Sequence, residues 1–177
     1  MKLIIALGNP GNKYKNTRHN LGKIILDSYL KEKYQQQLSL KKKLLANVFE
    51  TGQGSQKIIF ANPNQYMNNS GISVKKLFDF YKVDLNDLYI IHDDLDLQLG
   101  EYKVQSDRSS AGHNGIKSII QELGSQNFNR LRLGINNDQQ IASEDYVLQN
   151  FSSSELDIIK KELLPQIFQE LDSILNQ

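Results

Sequence analysis

Hydrophobic positions along the chain fall into two kinds of block, short continuous runs and longer stretches with helical spacing, and these two kinds alternate. Residues 2–7 are an Ile/Leu-rich run stopped by Gly8-Asn9-Pro10-Gly11, the pattern of a buried strand ended by turn residues. From residue 20 to about 36, Leu21, Ile24, Ile25 and Tyr29 recur at helical spacing, with lysines and Glu32 toward the end, which predicts an amphipathic helix. Residues 44–51 and 57–61 flank Gly52-Gln53-Gly54-Ser55, whose glycines permit the turn that lets two such segments pair antiparallel. Asn69 or Ser70 then offers an N-cap for a helix marked by Val74, Leu77, Phe78 and Tyr81.

The second half repeats the alternation. Residues 88–91 read as a buried strand that exits into His92-Asp93-Asp94-Leu95-Asp96, where Asp94 and Asp96 are expected to cap the following turn. Residues 100–105 alternate around Tyr102 and Val104, residues 106–112 form a polar loop, and 114–123 read as a helix closed by Gly124. Residues 128–135 alternate as a strand, and Leu156, Ile159, Leu163, Ile167, Leu171 and Ile174 mark a C-terminal helix that Pro165 should kink or restart. Interleaved strands and helices with two glycine-punctuated antiparallel additions predict an α/β fold, a mixed, twisted β-sheet surrounded by α-helices. No linker or internal repeat interrupts the 177 residues, so a single domain over 1–177 is expected.

Charge and composition narrow the function classes. The 21 Lys+Arg against 20 Asp+Glu give a net charge of +1, which excludes a strongly basic coating protein but leaves nucleic acid and small polar substrates open. With no cysteine, disulfides, thiolate nucleophiles and Cys-ligated metals are excluded, and a reducing compartment, the cytoplasm, is expected. The apolar start, Leu3 to Leu7, is shorter than a signal-peptide core, and no apolar run approaches the ~20 residues of a membrane span.

The polar signals gather at the predicted sheet edge. His19, His92 and His113 lie just after predicted strands or just before predicted helices, the edge where open α/β sheets form their sites. Asp93 follows its strand almost directly and His19 follows the first strand after one loop, so the two can meet if those strands are neighbours. A carboxylate accepting from one imidazole nitrogen fixes the tautomer and leaves the other free to take a proton from water. Neither a HExxH helix nor an EF-hand loop is present, so no metal site is expected. The absence of a G-x-S-x-G elbow points to water as nucleophile. Asn9, Asn20, Asn68 and Asn114 stand in loop or helix-start positions, where an uncharged amide serves either turn and cap chemistry or a substrate carbonyl.

Together the segments resemble a known family. Leu7-Gly8-Asn9-Pro10-Gly11, Tyr14, Thr17-Arg18-His19-Asn20 with Gly22, Met67-Asn68 with Ser70-Gly71, His92-Asp93-Asp94-Leu95-Asp96, Gly112-His113-Asn114-Gly115 and Arg130-Leu131-Arg132 with Gly134-Ile135 resemble, in order and spacing over roughly residues 1–150, the bacterial peptidyl-tRNA hydrolase family. The resemblance implies hydrolysis of the ester joining a peptide to the terminal ribose of tRNA. It also implies peptidyl-tRNA as partner, a monomeric α/β globule, and no metal or organic cofactor. By motif, His19 resembles the catalytic base and Asp93 its orienting partner. Asn9, Asn68 and Asn114 resemble substrate-positioning amides, with Asn20 beside them, and Tyr14, Tyr66 and His113 match residues lining the peptide and tRNA-end cleft.

Lys103, Arg108, Lys117, Arg130 and Arg132 fall in segments adjoining the expected site and are the candidates for tRNA phosphates. Two positions depart from the family pattern. Ala111 stands where a glycine is usual, with fewer backbone conformations open to it, and Gln105 stands where relatives often carry a base. An RNA-binding module without catalysis, and hydrolysis of another acyl ester or amide, are the rival functions. Retained His19 and Asp93 weigh against the first.

Overall fold

The computed structural model describes residues 1–136 and 142–176. In chain order it contains β1 (Lys2–Ala6), α1 (Leu21–Tyr34), β2 (Ser39–Lys41), β3 (Ala46–Thr51), β4 (Ile58–Pro63), α2 (Ser70–Tyr81), β5 (Leu88–Gln98), β6 (Tyr102–Gln105), α3 (Asn114–Leu123), β7 (Asn129–Asn136), α4 (Ser143–Tyr146), α5 (Ser153–Ile158) and α6 (Leu164–Asn176). One seven-stranded sheet has the order β2-β3-β4-β1-β5-β7-β6. Its four central strands, β4, β1, β5 and β7, run parallel. β2 and β3 add antiparallel at one side and β6 at the other.

Both faces of the central strands are covered, which is why they read as continuous apolar runs rather than alternating ones. Leu3, Ile5 and Leu7 face one core with Val74 and Leu77 of α2 and Ile116 and Ile119 of α3. Ile4 and Ala6 face the other, with Leu21, Ile25 and Leu26 of α1 and Leu163, Ile167 and Leu171 of the C-terminal helices. Side chains that alternate across a strand thus feed two separate cores. Among the described residues no helix is long and apolar enough to cross a membrane.

Two glycines set the spacing of the site elements. A Cβ on Gly22 would lie 2.6 Å from the Ile91 carbonyl oxygen, so only glycine lets the start of α1 close onto the carboxyl ends of β1 and β5. A Cβ on Gly71 would strike the Ser118 backbone, and its N–H instead donates to Ser118 Oγ at 3.0 Å, which clamps α2 against α3.

The structure revises two sequence expectations, at β5 and β2, and meets two in position, at the start of α2 and at Pro165. β5 does not end at Ile91 but carries His92, Asp93 and Asp94 as strand residues paired with Arg132, Leu133 and Gly134 of β7. β2 is an additional strand of three residues. Asn69 occupies the N-cap position of α2 without a side-chain capping bond. The C-terminal helix restarts at Leu164, one residue before Pro165, after a π-helical turn over Ile159–Leu163. Pro165 lacks the N–H that an unbroken helix would need there.

Candidate active site

The carboxyl ends of β1, β4 and β5 and the starts of α1, α2 and α3 converge on Asp93. Its carboxylate, 2% exposed, takes two imidazoles. His19 Nδ1 lies 2.8 Å from Oδ2 and 3.0 Å from Oδ1, and His113 Nε2 lies 3.0 Å from Oδ1. His19 belongs to a single helical turn, Arg18–Asn20, that leads into α1. That turn is fastened from its other side, where the Arg18 and His19 N–H groups donate to the carbonyls of Gln149 and Val147 at 3.0 and 2.8 Å. The buried Arg18 guanidinium pairs with Glu155 at 2.8 Å and lies 4.4 Å over the Tyr146 ring. The backbone carrying His19 is therefore fixed by contacts more than a hundred residues away in sequence.

Hydrogen bonding assigns the tautomers. Asp93 accepts from His19 Nδ1, so Nε2 of the neutral ring is the unprotonated nitrogen, and it has no protein partner among the described residues. His19 lines a cleft of about 410 Å³ bordered by the loop carrying Ala111 and by Ser143 and Val147. His113 Nδ1 accepts from the N–H groups of Gly115 and Ile116 at 3.1 and 3.2 Å, so its proton sits on Nε2 and is donated to Asp93. His113, not Asn114, is the N-cap of α3. His92 lies behind this pair, 3% exposed. Its Nδ1 donates to the Asp93 carbonyl at 2.7 Å, and its ring meets that of His113 edge-on at 4.8 Å.

Electrostatics separates the roles. Burial alone would raise the Asp93 carboxyl, but His19 and His113 overcome it and hold the group well below the usual carboxylate range. Burial pushes His19 toward the neutral form, and the Asp93 charge and hydrogen bond more than offset this, so its pKa lies above the ordinary histidine value. Burial, reinforced by His113, pushes His92 down to about 3. Asp93 is thus held in its charged form, His19 is held above the ordinary histidine value, and His92 is held neutral.

The asparagines divide into two groups. Asn20 is turned to the backbone: its Oδ1 accepts from the Asn9 N–H at 2.8 Å and its Nδ2 donates to the Asn9 carbonyl at 3.0 Å, which shapes the loop after β1. Asn9 Oδ1 accepts from the Met67 N–H at 2.8 Å, which orients the amide and leaves Nδ2 without a protein partner among the described residues. Asn68 is exposed just before α2, and Asn114 is exposed on the cleft wall. Tyr14 and the largely exposed Tyr66 meet edge to face at 6.3 Å.

The basic set also divides. Lys103 and Lys117 are exposed, and Arg108 pairs with Asp96 at 2.8 Å on the cleft rim. Arg130 and Arg132 do not face solvent, with exposures of 1% and 3%. Arg130 donates to the carbonyls of Ser109, Arg108 and Gln126 and so ties down the loop before α3. Arg132 Nε donates to Asp94 at 2.7 Å and Nη1 to Gln105 Oε1 at 2.9 Å. Both guanidiniums are thus engaged within the protein, whereas the sequence expectation was that they meet phosphate. Gln105 accordingly serves as an acceptor for Arg132. Ala111 adopts φ 45°, the left-handed conformation that its missing glycine would have suited.

Sequence reasoning missed the capping role of His113 and the Arg18–Glu155 anchor. The histidine, two residues before a glycine that opens an apolar helical face, was the available signal for the first. Among the described residues His19, Asp93 and His113 are the one group spaced to hold a cation. The donor set does not suit one. A metal on His113 Nε2 would force the proton onto Nδ1, against the two backbone N–H groups that Nδ1 accepts.

Comparison with known proteins accords with this geometry. The family model described as Peptidyl-tRNA hydrolase matches residues 3–177. A peptidyl-tRNA hydrolase of Mycoplasma capricolum subsp. capricolum is 49% identical over 162 residues, covering 91% of this chain and 86% of that one. One of Rickettsia bellii is 42% identical over 178 residues, covering 99% and 94%. The crystal structure of peptidyl-tRNA hydrolase from Acinetobacter baumannii superposes with a TM-score of 0.90 at 28% identity, covering 99% of this chain and 89% of that one. On the match across nearly its whole length, the chain belongs to the peptidyl-tRNA hydrolase family.

Proposed function

We propose that this member of the peptidyl-tRNA hydrolase family cleaves the ester between peptide and tRNA with water activated at His19 Nε2, under the direction of Asp93. The observation that carries the mechanism is the 2.8 Å contact of His19 Nδ1 with a buried carboxylate, its second nitrogen left open at the cleft. Water loses a proton to Nε2 as its oxygen attacks the ester carbonyl, and Asp93 stabilises the imidazolium that forms. The tetrahedral oxyanion draws on neutral donors, Asn114 on the cleft wall and Asn9 through its uncommitted Nδ2. On collapse the ribose oxygen departs and receives the proton from His19. An ester has a far better leaving group than an amide, so a base contributing ~10²–10⁴ and an oxyanion donor contributing ~10²–10³ suffice without a covalent intermediate.

Asn68, Tyr14 and Tyr66 supply the peptide side of the site, His113 holds Asp93 and α3 in place, and Lys103, Lys117 and Arg108 supply phosphate contacts. Residues 1–177 act as one unit, and a single copy holds every proposed residue, which supports action as a monomer. The lack of cysteine supports a cytoplasmic setting. His19→Ala should lower kcat/KM for an N-acetyl-aminoacyl-tRNA by about 10²-fold or more. Turnover within a few-fold of the parent would remove His19 from the role of base.

A further inference from the structure

We propose that the outer face of α2 is a docking track for the peptide part of the substrate, leading from the cleft to a cationic groove beside Phe80. The inference rests on the esterase reading above and adds a length and side-chain preference to it. Among the described residues six large hydrophobic side chains are exposed, and Tyr66, Ile72 and Phe80, at 55%, 37% and 63%, are three of them. Ile72, Lys76 and Phe80 are spaced four apart and all exposed, so they form one stripe along the helix. A stripe of exposed apolar side chains flanking a lysine suits an amphipathic ligand.

Both ends of the stripe are defined. At the top, the segment carrying Tyr66 and Asn68 is fixed to the candidate site by the Met67 N–H, which donates to Asn9 Oδ1. At the bottom, a groove of about 600 Å³ opens between the turn Lys42–Leu44 and the second half of α2. The Leu45 carbonyl pins that turn, accepting from the Ser73 hydroxyl at 2.7 Å and the Asn64 N–H at 2.8 Å. Lys42, Lys43 and Lys76 are exposed on this groove and have no carboxylate partner among the described residues. Asp79, the acid beside them, is taken by Lys75 at 2.6 Å. Three uncompensated cations above an apolar floor form a local field that the net charge of +1 conceals.

The occupant follows from continuity. The track starts at the peptide side of the site, on the segment that the Met67 N–H fixes to Asn9. Ser70 to Phe80 spans about 15 Å of helix, and an extended chain advances about 3.3 Å per residue. About five residues therefore reach the groove, where acidic side chains meet the lysines and apolar or aromatic ones meet Ile72 and Phe80. Short acyl groups never reach it.

The test compares one tRNA carrying either an N-acetyl-aminoacyl group or a nine-residue peptide with Asp and Phe in its N-terminal half. The parent protein is set beside Phe80→Ser and the triple variant Lys42→Gln, Lys43→Gln, Lys76→Gln. The variants should lose about fivefold or more in kcat/KM on the long substrate and stay within about twofold on the short one. Replacing the peptide Asp by lysine should cost the parent a similar factor and the triple variant nothing. Equal losses on both substrates, as contact with the RNA body would give, overturn the proposal, and so does full activity on the long one. Failure of the parent on the short substrate would instead sink the esterase reading itself.

Discussion

Asp93 shows how one residue divides a cluster of like side chains into unlike parts. Its charge raises the pKa of His19, while burial lowers that of His92. The neutral form of His19 is the active base, so kcat/KM should climb with pH through a value above the ~6.5 of an unperturbed histidine. Removing the carboxylate leaves burial unopposed. Asp93→Asn should therefore move that limb to below ~6.5 and lower the plateau by about 10²-fold or more, read from a pH series of kcat/KM. The pairing of His19 with Asp93 was legible because both residues follow buried strands and so reach the same edge. The fate of Asn20 was not. An asparagine beside a histidine reads equally as a ligand to substrate or to backbone, and only the path of the loop after β1 decides.

At the scale of elements, α3 begins on an imidazole that also holds the general-base pair. His113→Ala removes the acceptor for two helix N–H groups and should cost about 0.5–2 kcal/mol of stability. His113→Asn keeps a capping oxygen and should recover most of that in a denaturant titration. It also takes one hydrogen bond from Asp93, strengthening the pull on His19, so the acid limb of the rate profile should move to higher pH, opposite to Asp93→Asn. In the preceding loop Ala111 sits at φ 45°, and Ala111→Gly should stabilise the protein by about 1 kcal/mol in the same titration. Helical periodicity located α1, α2 and α3 because each buries one face against the sheet. β2 escaped notice because three residues carry no period, and β5 seemed to stop at Ile91 because polar side chains follow. Those side chains stay in the strand because Arg132, His19 and His113 satisfy them.

For the molecule as a whole, the central parallel strands and their two cores were readable from apolar runs and turn residues. Contacts between remote segments were not. Arg18 and Glu155 carry no pattern that announces their 2.8 Å pair, nor did anything mark Arg130 and Arg132 as interior. Their burial changes the expected binding to RNA. If all five candidate bases met phosphate on a single-stranded end, log affinity would fall with log salt at a slope near −3.5. With Lys103, Lys117 and Arg108 alone the slope is about −2.1, measurable as KM across a salt series. The sharing of Asp93 by two rings has a further result. Positions 19 and 113 are not independent loci, since a change at either alters the carboxylate that the other meets. A library that varies them one at a time will misjudge which amino-acid pairs the enzyme tolerates, and their epistasis is written into the geometry of a single side chain.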